Sequence, residues 1–203
     1  MKNLYILGAG GFGHVIKDMA EQSGKYTSIR FLDDNSNEAV DKLSDLPKFI
    51  DSDSCFFVGL GNNSVRLELI NKLLCLNCEV ISLIHPSAYV SPTAKLGIGC
   101  CVLPMAVVNT DCIIKDGCII NCGAIVDHNC IVNEGVHVCM NAVVKANNEI
   151  ASLSSGEKIA VEHTPFLVCD VCQKRYISPL AKELLDELKK LVESAEQEEE
   201  KNQ

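Results

Sequence analysis

Asp127 and His128 stand side by side in "INCGAIVDHNC" (residues 120–130), a stretch otherwise apolar or small. An unperturbed imidazole titrates near about 6.5, so it can take a proton from a nucleophile at neutral pH. Neighbouring strand side chains point to opposite faces, which sets Asp127 away from the His128 ring. A polar side chain on an outward-facing strand position is the plain alternative for His128. Asn121 and a second histidine, His137, flank the same stretch.

A different chemistry is written near the N-terminus. Gly8-Ala9-Gly10-Gly11-Phe12-Gly13 matches GxGxxG, follows the apolar run at 3–7, and leads into a helix expected over 12–22. Such glycines let backbone N–H groups approach a phosphate at a helix N-terminus. A second strand, 28–32, ends in Asp33-Asp34, roughly twenty residues past the last glycine, where a carboxylate can accept hydrogen bonds from a ribose or sugar hydroxyl. A third strand, 55–58, runs into Gly59-Leu60-Gly61-Asn62-Asn63 and an amphipathic helix to about residue 75; a fourth is expected over 79–83. This is one mononucleotide-binding half. A dinucleotide crevice needs two, so the pattern argues against NAD(P) and for a nucleotide or nucleotide-sugar.

The elements that must position His128 follow another rule. A branched apolar residue recurs at every sixth position from Ile84 to Ile150: Ile84, Val90, Leu96, Val102, Val108, Ile114, Ile120, Val126, Val132, Val138, Val144 and Ile150. Four positions after most of them sits a small residue, among them Ala88, Ala94, Cys100, Ala106, Cys112, Cys118, Ala124 and Cys130. Period six is neither helical nor simple alternation; it describes a solenoid in which each hexad is a short strand plus a corner. Three hexads close a triangular coil of about eighteen residues, and about four coils stack at about 4.8 Å. Cysteine takes the alanine slot as a small hydrophobe.

Bulk properties exclude several classes. The chain has 203 residues and a formal charge of -9, with a pI near 5.0, so nucleic acid and anionic membranes are poor general partners. Twelve cysteines accompany an N-terminus that reads neither as a signal peptide nor as a membrane span, which suggests a cytoplasmic protein with reduced thiols.

Taken together, "ILGAGGFGHVI", "FLDDN", "GLGNN", "IHPSAYVSPTAKLG" and "INCGAIVDHNCIV" resemble the sialic acid O-acetyltransferase family of sugar acetyltransferases, which includes N-acetyltransferases acting on UDP-4-amino-sugars. The resemblance covers residues 2 to about 148. It implies an α/β plus β-solenoid fold: a small Rossmann-like domain (1–83), a left-handed parallel β-helix (84–155), and a C-terminal segment with a helix and acidic tail (156–203). It further implies a homotrimer and acetyl-CoA as donor, with no metal. The acceptor would be a UDP-4-amino-sugar; sialic acid or another sugar hydroxyl, or a non-catalytic relative that only binds nucleotide-sugar, are the alternatives.

Site residues follow from the same resemblance. His128 is the expected general base and Asn129 the residue beside it; the family usually has a carboxylate there to orient the histidine and stabilise imidazolium. Gly8, Gly10, Gly11, Gly13, Asp33, Asp34, Gly59, Gly61 and Asn62 are the expected substrate cradle. His137 and Asn121 are expected near the acetyl group, and Met140, Asn141, Ala142 and Lys145 along the coenzyme. Beyond Lys145 the hexads fade, a departure from the family.

The C-terminal part offers less chemistry. Cys169-Asp170-Val171-Cys172 is a lone CxxC with His163 upstream and no second pair at finger spacing, so incidental thiols are the default. Ser178-Pro179 then caps an amphipathic helix expected over 180–195.

Overall fold

The computed structural model describes residues 1–152, 158–168 and 175–176, with side chains through Lys145. The first part is a parallel sheet in the order β3-β2-β1-β4. Its strands are β1 (Lys2–Leu7), β2 (Tyr26–Leu32), β3 (Ala39–Asp41) and β4 (Ser54–Val58), with helices α1 (Gly11–Ser23) and α2 (Asn63–Cys75). Alternation along β1 divides the core: Leu4 and Ile6 pack with Ile16 and Met19 of α1, whereas Tyr5 and Leu7 pack with Ile70 and Leu73 of α2. Helix α1 ends at Gly24, whose φ of 61 closes a left-handed cap, and α2 begins at Asn62, whose side chain accepts the Val65 N–H.

Two elements in this part were not expected, the short strand β3 and a 3-10 turn over Leu43–Phe49. The fourth strand, expected over 79–83, is corrected. Only Val80 bridges to Phe56, and the chain then leaves the sheet, so Leu83 already pairs with Cys101 in the next part.

Two-residue strands then recur every six residues. They are β5 (Leu83–Ile84), β6 (Tyr89–Val90), β7 (Lys95–Leu96), β8 (Cys101–Val102), β9 (Val107–Val108), β10 (Ile113–Ile114), β11 (Ile119–Ile120), β12 (Ile125–Val126), β13 (Ile131–Val132) and β14 (His137–Val138). They form three parallel faces, β5-β8-β11-β14, β6-β9-β12 and β7-β10-β13. Each residue pairs with the one a full coil later, as in Ile113 with Ile131. The architecture is a left-handed parallel β-helix. Its core is the predicted column of branched residues and small partners, with Cys100, Cys112, Cys118 and Cys130 buried in the alanine slot. The thiols of Cys100, Cys112 and Cys118 donate to the corner carbonyls of Lys115, Asp127 and Asn133.

The two ends of the hexad series depart from expectation. Ile84 is 49% exposed rather than central, because no coil lies below it. After Val144 the chain does not turn. β15 (Val143–Ser152) runs straight on and pairs antiparallel with β16 (Lys158–Val168), so Ile150 opens no further coil. The next corner slot would have fallen on Asn148, an amide that cannot be buried there without a partner. The expected helix over 180–195 and the Cys169/Cys172 pair lie outside the described residues.

The corners share one backbone device. Gly99, Met105, Asp111, Gly117, Gly123, Asn129, Gly135 and Asn141 all have φ between 56 and 67. The glycines at 99, 117 and 135 lie one above another, and α2 rests on them. A Cβ at Gly117 would meet Ile70 and Leu67 at 3.0 Å, in a conformation that L residues already disfavour. Gly117→Ala is therefore expected to destabilise the protein by about 2 kcal/mol, seen as a fall of about 4–8 °C in the thermal midpoint. An unchanged midpoint would mean that α2 does not bear on this corner.

Candidate active site

His128 is exposed at the corner between β12 and β13. Its backbone N–H donates to Asp127 Oδ1 at 2.9 Å, so Asp127 holds the corner's main chain rather than the ring. The ring is oriented by Asn129, whose Oδ1 lies 2.8 Å from His128 Nδ1. An amide oxygen can only accept, so Nδ1 carries the hydrogen and Nε2 is left with a free lone pair directed away from the corner. Asn129 can reach because it occupies the left-handed corner position, with φ 60, which asparagine tolerates well. The absent carboxylate thus has a neutral substitute that sets the tautomer but adds no charge opposite an imidazolium.

A second cluster forms elsewhere on the coil. Asn121 Oδ1 accepts the Cys122 N–H at 2.8 Å, so its Nδ2 donates to His137 Nε2 at 2.9 Å. His137 therefore presents Nδ1–H as a donor. Burial lowers its pKa, and the nearby Arg66 charge lowers it further, keeping the ring neutral. His137 sits on the β5-β8-β11-β14 face, and His128 sits at the corner joining the other two faces. In a three-faced coil that corner is opposite the first face, so one chain does not bring the two histidines together.

At the carboxyl edge of the N-terminal sheet the two glycine loops touch. A Cβ on Gly13 would lie 2.1 Å from Gly8 O, and one on Gly59 would lie 3.0 Å from Gly13 Cα, so both positions need glycine for close approach. β2 and β4 flank β1 on opposite sides, which makes this edge a topological switch point and the natural crevice for a ligand. Gly10, Gly11, Gly61 and Asn62 are exposed there. The acidic pair is already employed in shaping the loop. Asp33 accepts the Ala9 N–H at 2.8 Å and the Asn35 N–H at 2.8 Å, while Asp34 accepts the Leu43 N–H at 3.0 Å. The Ala9 and Asn35 bonds hold the Asp33 carboxyl below the usual carboxylate range. A carboxylate offers about four acceptor sites, so both retain capacity for a sugar hydroxyl.

Among the expected coenzyme contacts, Met140, Asn141 and Lys145 are exposed near the upper coil. Ala142 is buried: its methyl lies in the core, its N–H donates to Cys139 O, and its carbonyl accepts from Ile125, so any ligand contact there is limited to the second lone pair of that carbonyl.

Arg66 was missed by the sequence reading. It is fully buried on α2, yet among the described residues no carboxylate pairs with it. Its Nε donates to Gly117 O (2.7 Å), Nη1 to Leu60 O and Gly61 O (2.8 and 3.2 Å), and Nη2 to Asn63 Oδ1 and Gly135 O (2.9 and 2.8 Å). All five donors of the guanidinium are thereby satisfied.

Comparison with known proteins places these features in company. Residues 3–73 match the PglD N-terminal domain. The chain is 33% identical over 112 residues to UDP-N-acetylbacillosamine N-acetyltransferase of Bacillus subtilis (strain 168), covering 51% of this chain and 52% of that protein, so it spans about half the length of this curated relative. Among solved structures it is similar to the acetyltransferase domain of PglB from Neisseria gonorrhoeae FA1090 in complex with acetyl coenzyme A. That match has TM-score 0.64, 35% identity, and coverage of 67% of this chain and 69% of that one. It is also similar to PerB from Caulobacter crescentus in complex with CoA and GDP-perosamine, with TM-score 0.61, 31% identity, and 68% of each chain covered.

Proposed function

Because the chain belongs to the sialic acid O-acetyltransferase family of sugar acetyltransferases, we propose that it transfers an acetyl group from acetyl-CoA to the amine of a nucleotide-linked amino-sugar, with a UDP-4-amino-sugar as acceptor. The observation that carries the reading is the orientation of His128: an exposed imidazole with Nδ1–H fixed by Asn129 and Nε2 free to accept a proton. The relatives named above, two of them complexed with acetyl-CoA or with CoA and GDP-perosamine, support both substrate classes.

In this mechanism the acceptor amine arrives unprotonated. As its nitrogen attacks the thioester carbonyl, Nε2 of His128 takes the N–H proton. The C–S bond then breaks, and the imidazolium returns the proton to the departing coenzyme sulfur. The Nδ1–H of His137 is suited to donate to the carbonyl oxygen as it gains negative charge. Because the two histidines lie on different sides of one chain, the proposed site is one shared by neighbouring copies of a homotrimer with a groove at each boundary. We place this activity in the cytoplasm, where acetyl-CoA and reduced thiols are found.

The test is to incubate the purified protein with acetyl-CoA and a panel of UDP-4-amino-sugars, GDP-linked amino-sugars and sialic acids, reading products by mass spectrometry. A product heavier by one acetyl from an amino-sugar nucleotide is the expected result. Acetylation of sialic acid alone would move the reading to O-acetyl transfer, and no product, together with no acetyl-CoA binding, would leave a nucleotide-sugar-binding protein without catalysis.

A further inference from the structure

We propose that Arg66 is a positioning residue that gives the second glycine loop its ligand-facing shape and registers that loop against the coils leading to His137. The inference rests on the nucleotide-sugar reading of the N-terminal domain.

The argument begins with peptide geometry. In a trans peptide the carbonyl of one residue and the N–H of the next point in opposite directions, and the described residues have no cis bonds. Nη1 draws the carbonyls of Leu60 and Gly61 inward, so the N–H groups of Gly61 and Asn62 face outward. Among the described residues neither N–H has an acceptor. They lie at the switch-point edge, beside the first glycine loop, as consecutive donors of the kind that bind phosphate oxygens.

The other half of the guanidinium faces the solenoid. Nε and Nη2 hold Gly117 O and Gly135 O, corner carbonyls in successive coils, the second lying two residues before His137. One rigid planar group thus spans the glycine loop, the start of α2 through Asn63, and the corner beneath His137. A lysine carries the charge but not the planar fork, so it cannot hold all three at once. Had the residue served only to fill space, an apolar side chain would have packed there without desolvating a cation.

Arg66→Lys in the full chain provides the test, with UDP as the nucleotide probe. Calorimetry is expected to show UDP affinity weakened about tenfold and acetyl-CoA affinity changed by less than about twofold. Hydrogen exchange is expected to accelerate at amides 59–63 and 133–138, with β1 and the coil core unchanged. A variant that is merely less stable, whose folded fraction binds UDP as the wild type does, overturns the proposal, as does equal weakening of both ligands. If Arg66→Lys fails to fold, Asn63→Ala removes one acceptor and keeps the charge; the same pattern at smaller size supports the proposal, and its absence overturns it. If wild-type protein binds neither UDP nor GDP, the nucleotide reading itself is wrong. Arg66 is then judged on exchange alone: acceleration confined to both segments supports positioning, and any other pattern overturns it.

Discussion

His128→Ala is expected to lower kcat by at least about a hundredfold, the range over which a positioned general base contributes. KM for both substrates should stay within about threefold, because the ring is exposed and its one side-chain bond among the described residues is to Asn129. For the same reason the thermal midpoint should hardly move, which separates lost chemistry from lost fold. The pH dependence has a definite sign. A protonated acceptor amine has no lone pair with which to attack the thioester, so the rate falls on the acid side. A variant that keeps more than about a tenth of the wild-type rate at saturating substrates would remove His128 from the mechanism.

A second large change is expected on mixing two inactive proteins. His137→Ala is expected to cost about a hundredfold in kcat through loss of the Nδ1–H donor. Each variant still carries the histidine that the other lacks. If a site draws His128 from one copy and His137 from its neighbour, every trimer that contains both chains has one fully equipped boundary of its three, so doubly purified material recovers to about a third of wild type. Co-expressed differently tagged chains, purified on both tags and assayed beside each parent, would measure this. No recovery in verified mixed oligomers would show that the two histidines do not serve one shared site.

Much of this organisation was legible in the residues because burial leaves few options. A column position inside a β-helix must be branched and apolar, and the slot beside it must be small, so Val102 through Val144 and their cysteine or alanine partners announce the period. The start and stop were harder to read. Ile84 obeys the pattern although nothing covers it, and Ile150 obeys it although the chain has already straightened. Periodicity records what a coil would bury, and whether the next corner can form depends on other residues, as at Asn148. The segment 79–83 carries strand-forming residues but contributes one bridge, because it is leaving the sheet.

Arg66 went unread for a comparable reason. An arginine in an amphipathic helix is ordinarily on the solvent side. The signal that would have found it is its phase: Arg66, Ile70 and Leu73 recur at four and three residues, placing the arginine on the buried stripe. A charge on an apolar stripe asks where its donors go, and here the answer is a set of backbone carbonyls. Asn129 shows the complementary limit. Sequence marked the missing carboxylate, and only the left-handed corner shows how an amide reaches the ring.

The seating of α2 on Gly99, Gly117 and Gly135 bears on how the molecule comes apart. Solenoids are quasi-one-dimensional: each coil touches its neighbours alone, so an unbraced array can fray from an end, one repeat at a time. Here a single helix lies across three successive coils like a splint, and the same helix is half of the N-terminal domain's core. No braced coil can open without undocking α2, and α2 cannot undock without exposing Ile70 and Leu73. The energy of fraying is thereby tied to that of the neighbouring domain, and two architectures that could each melt on their own become one cooperative unit.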